Sequence, residues 1–380
     1  MSSRLLVTGA AGFIGANFVH YWRRSQPKSQ IIILDVLTYA GNLLNIETLL
    51  EEDSNVRFVH GDILDSDGVE DLLRDWKIDT IVHFAAETHV DRSITGPDAF
   101  LATNVIGTHS LLKAARKIWL DEKRIDGRVR FHHVSTDEVF GSLGFGDCTF
   151  REDTPYAPNS PYAASKAASD HLVRAYYKTF GLPAITTNCS NNYGPYQHPE
   201  KLIPLVLTNA LDGRALPVYG DGLNVRDWLY VEDHCRGIET TLVAGRIGSC
   251  YNIGGRNEQA NIDVVRLVCD LLDGMFARNP SLTERFPKSP AANGGKTEDL
   301  ITFVADRLGH DRRYAIDATR IERELGFVPT ESFATGLART IDWYIKNETW
   351  WRAIMDGSYR DEASLRRYAQ SNPVPKVLPR

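Results

Sequence analysis

Three glycines spaced three residues apart, Gly9, Gly12 and Gly15, follow the apolar run Leu5-Leu6-Val7-Thr8 and lead into Phe13, Ile14, Phe18 and Val19 at helical spacing. The pattern is a buried strand, a tight turn and a helix. A first glycine lets the backbone reverse, a second lets a pyrophosphate approach the main chain, and a third lets the helix pack close to the strand. The helix N-terminus then presents unpaired N–H groups and a positive dipole end to phosphate. A strand–turn–helix without a ligand carries such glycines too, and Asp35 weighs against that reading. It closes the next apolar run, Ile31-Ile32-Ile33-Leu34, about twenty residues past the last glycine, where a carboxylate accepts hydrogen bonds from an adenosine ribose. A carboxylate repels a 2′-phosphate, so the expected cofactor is NAD rather than NADP.

With 380 residues the chain can bury a sizeable core, as one large α/β unit or as two lobes about a cleft. Its 43 basic and 49 acidic residues leave a net charge of -6 with no long basic block, which argues against nucleic acid as a partner. The five cysteines are dispersed without a Cys-x-x-Cys pair, a pattern of reduced thiols in the cytoplasm rather than of a disulfide framework. No apolar run approaches the ~20 residues of a bilayer span, and the N-terminal run is interrupted by the glycine loop, unlike a secretion signal. No membrane association is expected.

Through the first half, apolar runs alternate with helical stretches. Val56 to His60 is followed by a helix from Gly68 to Trp76, Thr80 to Phe84 by a helix from Thr103 to Trp119, and then comes a strand from Val129 to Ser135. Strands separated by helices predict an α/β fold: a doubly wound parallel sheet forming an NAD-binding Rossmann lobe over residues 1–190, with some later segments returning to it. A smaller, mixed substrate lobe is expected over 191–372. The stretch Asn279 to Glu298, rich in Pro, Ser, Gly and Lys, predicts a surface excursion, and three prolines predict a poorly ordered tail at 373–380.

Such sheets bind ligands beyond the carboxyl ends of their strands. Val36, Leu37 and Thr38 follow the second strand, Asp62 and Ile63 the third, and Ala85, Ala86, Glu87, Thr88 and His89 the fourth. All are cofactor candidates, although Glu87 and His89 read equally well as solvated loop side chains. After the fifth strand comes Ser135-Thr136-Asp137-Glu138. Adjacent carboxylates at a strand end raise each other's pKa and, beside a cofactor, serve as an acid and a base; on an ordinary loop they are only a charged surface. His132 and His133 point to opposite faces of their strand, and no metal is expected. Tyr162 and Lys166 open a helix running to about Phe180 and share one of its faces. There the ammonium favours an ionised phenol, which can take a proton from a hydroxyl as hydride leaves the adjacent carbon.

Taken together, these motifs resemble the extended short-chain dehydrogenase/reductase family and, within it, the nucleotide-sugar 4,6-dehydratases. The resemblance covers nearly the whole chain: the glycine loop, Tyr39-Ala40-Gly41-Asn42, Thr136-Asp137-Glu138, Tyr162 to Lys166, Asn191 to Tyr196, Pro199 to Pro204, Arg226-Asp227-Trp228 and Gly309 to Tyr314. It departs from the family pattern at Leu308, where proline is expected, and at Phe140, where tyrosine is expected; the first puts the path of the closing loop in question. The resemblance adds Thr103 and Asn192 to the cofactor residues. It implies a nucleotide-diphosphate hexose substrate, dTDP-glucose ahead of UDP-glucose. That substrate would be held by His89, Thr136, Asn191, Lys201, Leu202, Pro217, Val218, Tyr219, Arg226 and Asn261, with Asp306, Arg307, Leu308, Gly309 and His310 closing over it. Arg226 reads either as a fork on the diphosphate or as a salt-bridge partner of Asp227 or Asp233. A homodimer is implied through the two long helices, whose apolar faces could equally pack internally.

The implied chemistry is oxidation at C4 by NAD, elimination of water across C5 and C6, and return of hydride to C6, with Asp137 as acid, Glu138 as base, and Tyr162 taking the 4-hydroxyl proton beside Thr136. The rival readings are an NAD-dependent 4-epimerase, which loses no water, and a non-catalytic NAD-binding scaffold.

Overall fold

A computed structural model describes residues 3–125 and 127–360. The five apolar runs of the first half form β1 (Arg4–Thr8), β2 (Gln30–Asp35), β3 (Val56–His60), β4 (Thr80–His83) and β5 (Arg130–Thr136), and β6 (Ala184–Cys189) follows them. Six more strands follow: β7 (Asn191–Tyr193), β8 (Leu216–Tyr219), β9 (Val225–Tyr230), β10 (Cys250–Ile253), β11 (Glu258–Ala260) and β12 (Ile301–Val304). β10 returns to the first six, completing a seven-stranded sheet in the order β10-β6-β5-β4-β1-β2-β3. Every pairing in it is parallel. The strand order reverses between β1 and β4, so the crevice for a ligand opens at their carboxyl ends.

Both faces of this sheet are covered, which is why the central strands β1 and β2 carry near-continuous apolar runs rather than alternating ones. Leu5, Val7, Ile31 and Ile33 pack with Phe18 and Val19 of the first helix, Phe13–Ser25. Their neighbours Leu6, Ile32 and Ile81 point the other way, onto Leu72, Leu111 and Ile118. A separate core gathers Tyr193, Leu207, Trp228, Val265, Leu337 and Trp351 beneath a three-stranded sheet in which β9 lies between β7 and β11. β8 and β12 form a parallel pair beside it.

One expectation needs correction. The helix predicted from Thr103 to Trp119 is the middle of a longer one, Asp98 to Asp121, with π-type turns at Leu101–Gly107 and Lys117–Asp121 flanking α-helical Thr108–Arg116. The stretch Asn279 to Glu298 is exposed over most of its length, as expected, but it is anchored: Leu282 and Phe286 are buried in the second core, and Thr297 Oγ1 and N donate to Asp273. The tail predicted at 373–380 lies outside the described residues.

Candidate active site

The glycine loop is shaped by close approach. Gly9 has φ of 72°, and a Cβ on it would stand 2.5 Å from the Ala85 nitrogen at the end of β4. A Cβ on Gly15 would stand 2.5 Å from the Gly9 carbonyl oxygen, so that glycine lets the helix close on the turn. Gly12 differs: a Cβ there would meet only the Gly9 oxygen, at 3.2 Å, with nothing else within 4 Å. Its open side borders the main cavity, and the helix beginning at Phe13 has no side-chain cap on its N–H groups. Asp35 Oδ2 accepts from Ala11 N at 2.9 Å and Oδ1 from Leu37 N at 2.8 Å. Burial pushes this carboxyl up, and the two N–H donors oppose that. Each oxygen keeps a second lone pair for a ribose hydroxyl. An open phosphate seat and a carboxylate at the next strand end fit a dinucleotide.

One cavity of about 400 Å³ runs from this loop to the Asp-Glu pair. At one end it is lined by Gly9, Gly12, Phe13, Ile14, Gly15, Asp35, Val36, Thr38, Asp62 and Ile63. Ala85, Ala86, Glu87, Thr88 and Thr103 form its middle, and Thr136, Asp137, Glu138, Tyr162, Lys166, Asn191, Asn192 and Lys201 the other end. Leu37 and His89 are not on its wall; His89 Nε2 lies 3.6 Å from Glu200 Oε2 instead. The wall also holds residues that sequence reasoning passed over: Asn42, Asn45 and, from the last helix (Glu348–Asp356), Trp350 and Ile354, with Tyr359 beyond it. Trp350 Nε1 donates to Asn45 Oδ1 at 2.8 Å and the Tyr359 hydroxyl to the Tyr39 carbonyl at 2.6 Å. Trp350 and Asn45 are 305 positions apart, a separation no local pattern bridges.

At the far end, Ser160 accepts from Ala163 N at 3.1 Å and Pro161 occupies the first turn, starting the helix Pro161–Phe180. Tyr162 and Lys166 fall on its buried face. Lys166 Nζ donates to the Val134 carbonyl at 2.8 Å, while burial and then the Glu138 charge push the Tyr162 phenol well above its ordinary value. Burial in turn lowers Lys166 itself.

Asp137 and Glu138 open a short 3-10 turn, Asp137–Phe140, at the end of β5, with Glu138 N donating to Thr136 Oγ1 at 3.3 Å. Asp137 is 2% exposed and its Oδ2 has no hydrogen-bond partner. Burial, then the charges of Glu138 and Asp227, hold this carboxyl well above the usual range, which keeps a proton on it. Burial also raises Glu138, but Arg226, Arg307 and Lys201 all pull it back toward the ionised form. Both neighbouring carboxyls are thus raised, Asp137 the further of the two, and the cations oppose the rise most at Glu138.

Arg226 forms neither salt bridge considered for it. Asp227 accepts from Gly255 N and Asn257 N, and Asp233 pairs with Arg236 at 2.7 Å. Arg226 is instead buried, its guanidinium 4.3 Å above the Tyr314 ring and donating to the Asp311 carbonyl at 2.9 Å. Pro217, Val218, Tyr219, Asn261 and Asp306 to His310 do not line the main cavity, and neither does Leu202. Most of them gather around β8 and β12: Val304 pairs with Tyr219, the His310 ring lies 6.3 Å from the Tyr219 ring, and His310 Nδ1 is 2.6 Å from Asp306 Oδ1. Arg307 Nη1 lies 3.7 Å from Asp91 Oδ1, and its Nε is buried without a partner. Asn191 Oδ1 and Asn261 Oδ1 are likewise buried without partners.

Comparison with known proteins agrees with this geometry. A family model described as GDP-mannose 4,6 dehydratase matches residues 6–340. A dTDP-glucose 4,6-dehydratase of Escherichia coli is 51% identical over 369 residues, spanning 94% of this chain and 98% of its own. One of Xanthomonas campestris pv. campestris is 54% identical over 359 residues, spanning 94% and 97%. Among solved structures, the dTDP-glucose 4,6-dehydratase DesIV of Streptomyces venezuelae, determined with NAD bound, superposes with a TM-score of 0.81 at 48% identity, covering 92% of this chain and 99% of that one. The Bacillus anthracis dTDP-glucose 4,6-dehydratase, in complex with NAD, gives 0.79 at 46% identity, covering 93% and 100%. The chain therefore belongs to the family of that 4,6-dehydratase model and, within it, to the dTDP-glucose 4,6-dehydratases, which are NAD-dependent hydro-lyases.

Proposed function

We propose that the cavity performs the three-stage conversion of dTDP-glucose to dTDP-4-keto-6-deoxyglucose and water. The observation that carries this reading is the placing of two adjacent carboxyls, Asp137 and Glu138, in the same cavity as an open glycine loop, with Arg226, Arg307 and Lys201 acting on Glu138. NAD, held by the loop and Asp35, supplies a reversible hydride acceptor when bound. Tyr162 takes the proton of the 4-hydroxyl, and the Thr136 hydroxyl holds that oxygen. The 4-ketone acidifies C5. Glu138 removes the C5 proton while Asp137 gives its proton to the departing 6-hydroxyl, so water leaves. Once hydride has returned to C6, Glu138 reprotonates C5. At the end Tyr162 has gained a proton and Asp137 has lost one, so the site resets only when one proton passes between them or through solvent.

Asn191 and Lys201 hold the sugar–nucleotide side, Arg226 and Arg307 the diphosphate, and the β8–β12 group with Asn261 the nucleotide. Exposed Leu101 and Ile106 on the helix Asp98 to Asp121 are the face we assign to a homodimer. Among the described residues no helix is long and apolar enough to cross a membrane; a cytoplasmic location is our reading of the dispersed, unpaired cysteines.

The deciding experiment uses dTDP-glucose deuterated at C4. The label should appear in the product's methyl group, and the product should be lighter by one water. A 4-epimerase would return a product of unchanged mass, and label lost to solvent would contradict the proposed hydride return.

A further inference from the structure

Asp170 stands four residues past Lys166 on the helix Pro161–Phe180, and none of the steps above uses it. Its side chain is buried, 5% exposed. Oδ2 accepts from Ser135 Oγ and from the Tyr156 hydroxyl, each at 2.9 Å, with Asn188 Nδ2 at 3.4 Å. Oδ1 accepts no hydrogen bond and lies 3.1 Å from His133 Nε2. Asn188 Nδ2 also donates to the Thr136 carbonyl at 3.0 Å. Ser135 and Thr136 are the last two residues of β5, directly before Asp137 and Glu138. The Asp170 carboxylate therefore ties down the strand end that carries the reacting carboxyls.

A buried carboxylate that meets only hydroxyl, amide and neutral imidazole groups is costly unless a positive charge compensates it. The buried cation on this helix face is Lys166, whose own hydrogen bond goes to a neutral carbonyl. Burial disfavours the ammonium, and the Asp170 charge opposes that loss. The imidazole, thiol and phenol groups around the pair bring no competing charge; the charged neighbours lie on the outer side. Burial holds the His83 and His133 imidazoles below their ordinary value, so they are neutral. The Cys189 thiol is pushed up to about 12, and the Cys250 thiol and Tyr156 phenol are raised as well, so all three keep their protons. On the outer side, Glu152, His171, Arg174, Arg246 and Arg320 share a groove with Asp170.

We propose that Asp170 is a positioning residue for the first hydride transfer, acting as the fixed counter-charge of the Lys166 ammonium and as the tether of the β5 end bearing Thr136, Asp137 and Glu138. This rests on the dehydratase reading above. Asp170→Asn keeps an oxygen for Ser135 and Tyr156 and removes only the charge. Lys166 then sheds its proton at lower pH, and Tyr162 loses the cation that helps its phenol ionise. Bound NADH should form from dTDP-glucose with its half-maximal pH raised by about one unit, at unchanged KM, and Asp170→Glu should bring the profile back toward the parent. An unshifted profile, with only the rate or the melting temperature lowered, would overturn the proposal. A melting-temperature cycle tests it without substrate. In a Lys166→Met background Asp170 has lost its counter-charge, so adding Asp170→Asn should raise Tm there while lowering it in the parent. Equal shifts in both backgrounds would refute the pairing. Absence of bound NADH in the parent itself would count against the dehydratase reading and leave the cycle as the measure of Asp170.

Discussion

At the scale of single residues, the site runs on unequal burial. Asp137 and Glu138 are neighbours of the same chemistry, yet Arg226 alone opposes the rise at Asp137, while Arg226, Arg307 and Lys201 together oppose it at Glu138. Elimination should accordingly follow a bell-shaped pH profile, rising as Glu138 ionises and falling as Asp137 does. Lys201→Met removes one cation and should move the rising limb to higher pH, seen as a shifted acidic arm of single-turnover product formation. Asp137→Asn should slow elimination about a hundredfold or more while leaving bound NADH to accumulate; equal loss of both steps would contradict its role as acid. The same substitution bears on stability. A carboxyl whose folded pKa lies above its unfolded one supports the fold fully at low pH and loses that support as pH rises through the folded value. Asn has no such dependence, so the Tm of Asp137→Asn should gain on the parent as pH increases. Sequence placed this pair at a strand end, but the three cations that divide its roles come from positions 201, 226 and 307.

At the scale of elements, two of the glycines in one loop do separable jobs. Gly9→Ala forces a left-handed residue and a 2.5 Å overlap with Ala85 N, so its cost should fall on folding, at least the ~1–2 kcal/mol of the conformation alone. Gly12→Ala meets only one oxygen, at 3.2 Å, so the fold should survive and NAD affinity fall about tenfold or more. Thermal melts and NAD titration of the two variants separate these outcomes, and a stable Gly9→Ala with weak NAD binding would reverse the assignment. The helix bearing Tyr162 was legible because its start is written locally, with Ser160 as cap and Pro161 in the first turn. The helix Asp98 to Asp121 was only partly legible, because its π-type turns shift the helical period and blur the pattern on which a boundary is read.

At the scale of the whole molecule, the dinucleotide end of the cavity is completed by the far end of the chain. Trp350 reaches Asn45, and Tyr359 reaches the backbone of Tyr39. Trp350→Phe keeps an aromatic ring and removes the indole donor; it should weaken NAD binding severalfold while leaving the rate at saturating cofactor near that of the parent, as measured by titration and steady-state kinetics. The assembly is tested separately. Leu101→Glu with Ile106→Glu should convert a dimer to a monomer by light scattering, and an unchanged mass would place the interface elsewhere. The division into a cofactor lobe ending near residue 190 and a substrate lobe beyond it remains our proposal, and β10 crosses it by returning to the large sheet.

What the sequence determined by itself is what lies within reach of a turn or two of chain: the glycine loop, the acidic residue closing β2, the alternation that makes a doubly wound sheet, and the Tyr162–Lys166 spacing on one helix face. These are local because backbone geometry and side-chain period are local. Only the tertiary structure decided which cations gather about Glu138, that Lys166 bonds the Val134 carbonyl, that Arg226 is buried against Tyr314, and that the helix Glu348–Asp356 walls the cavity. Each of these depends on desolvation and on charges brought together from distant segments, and neither is written in the spacing of neighbours.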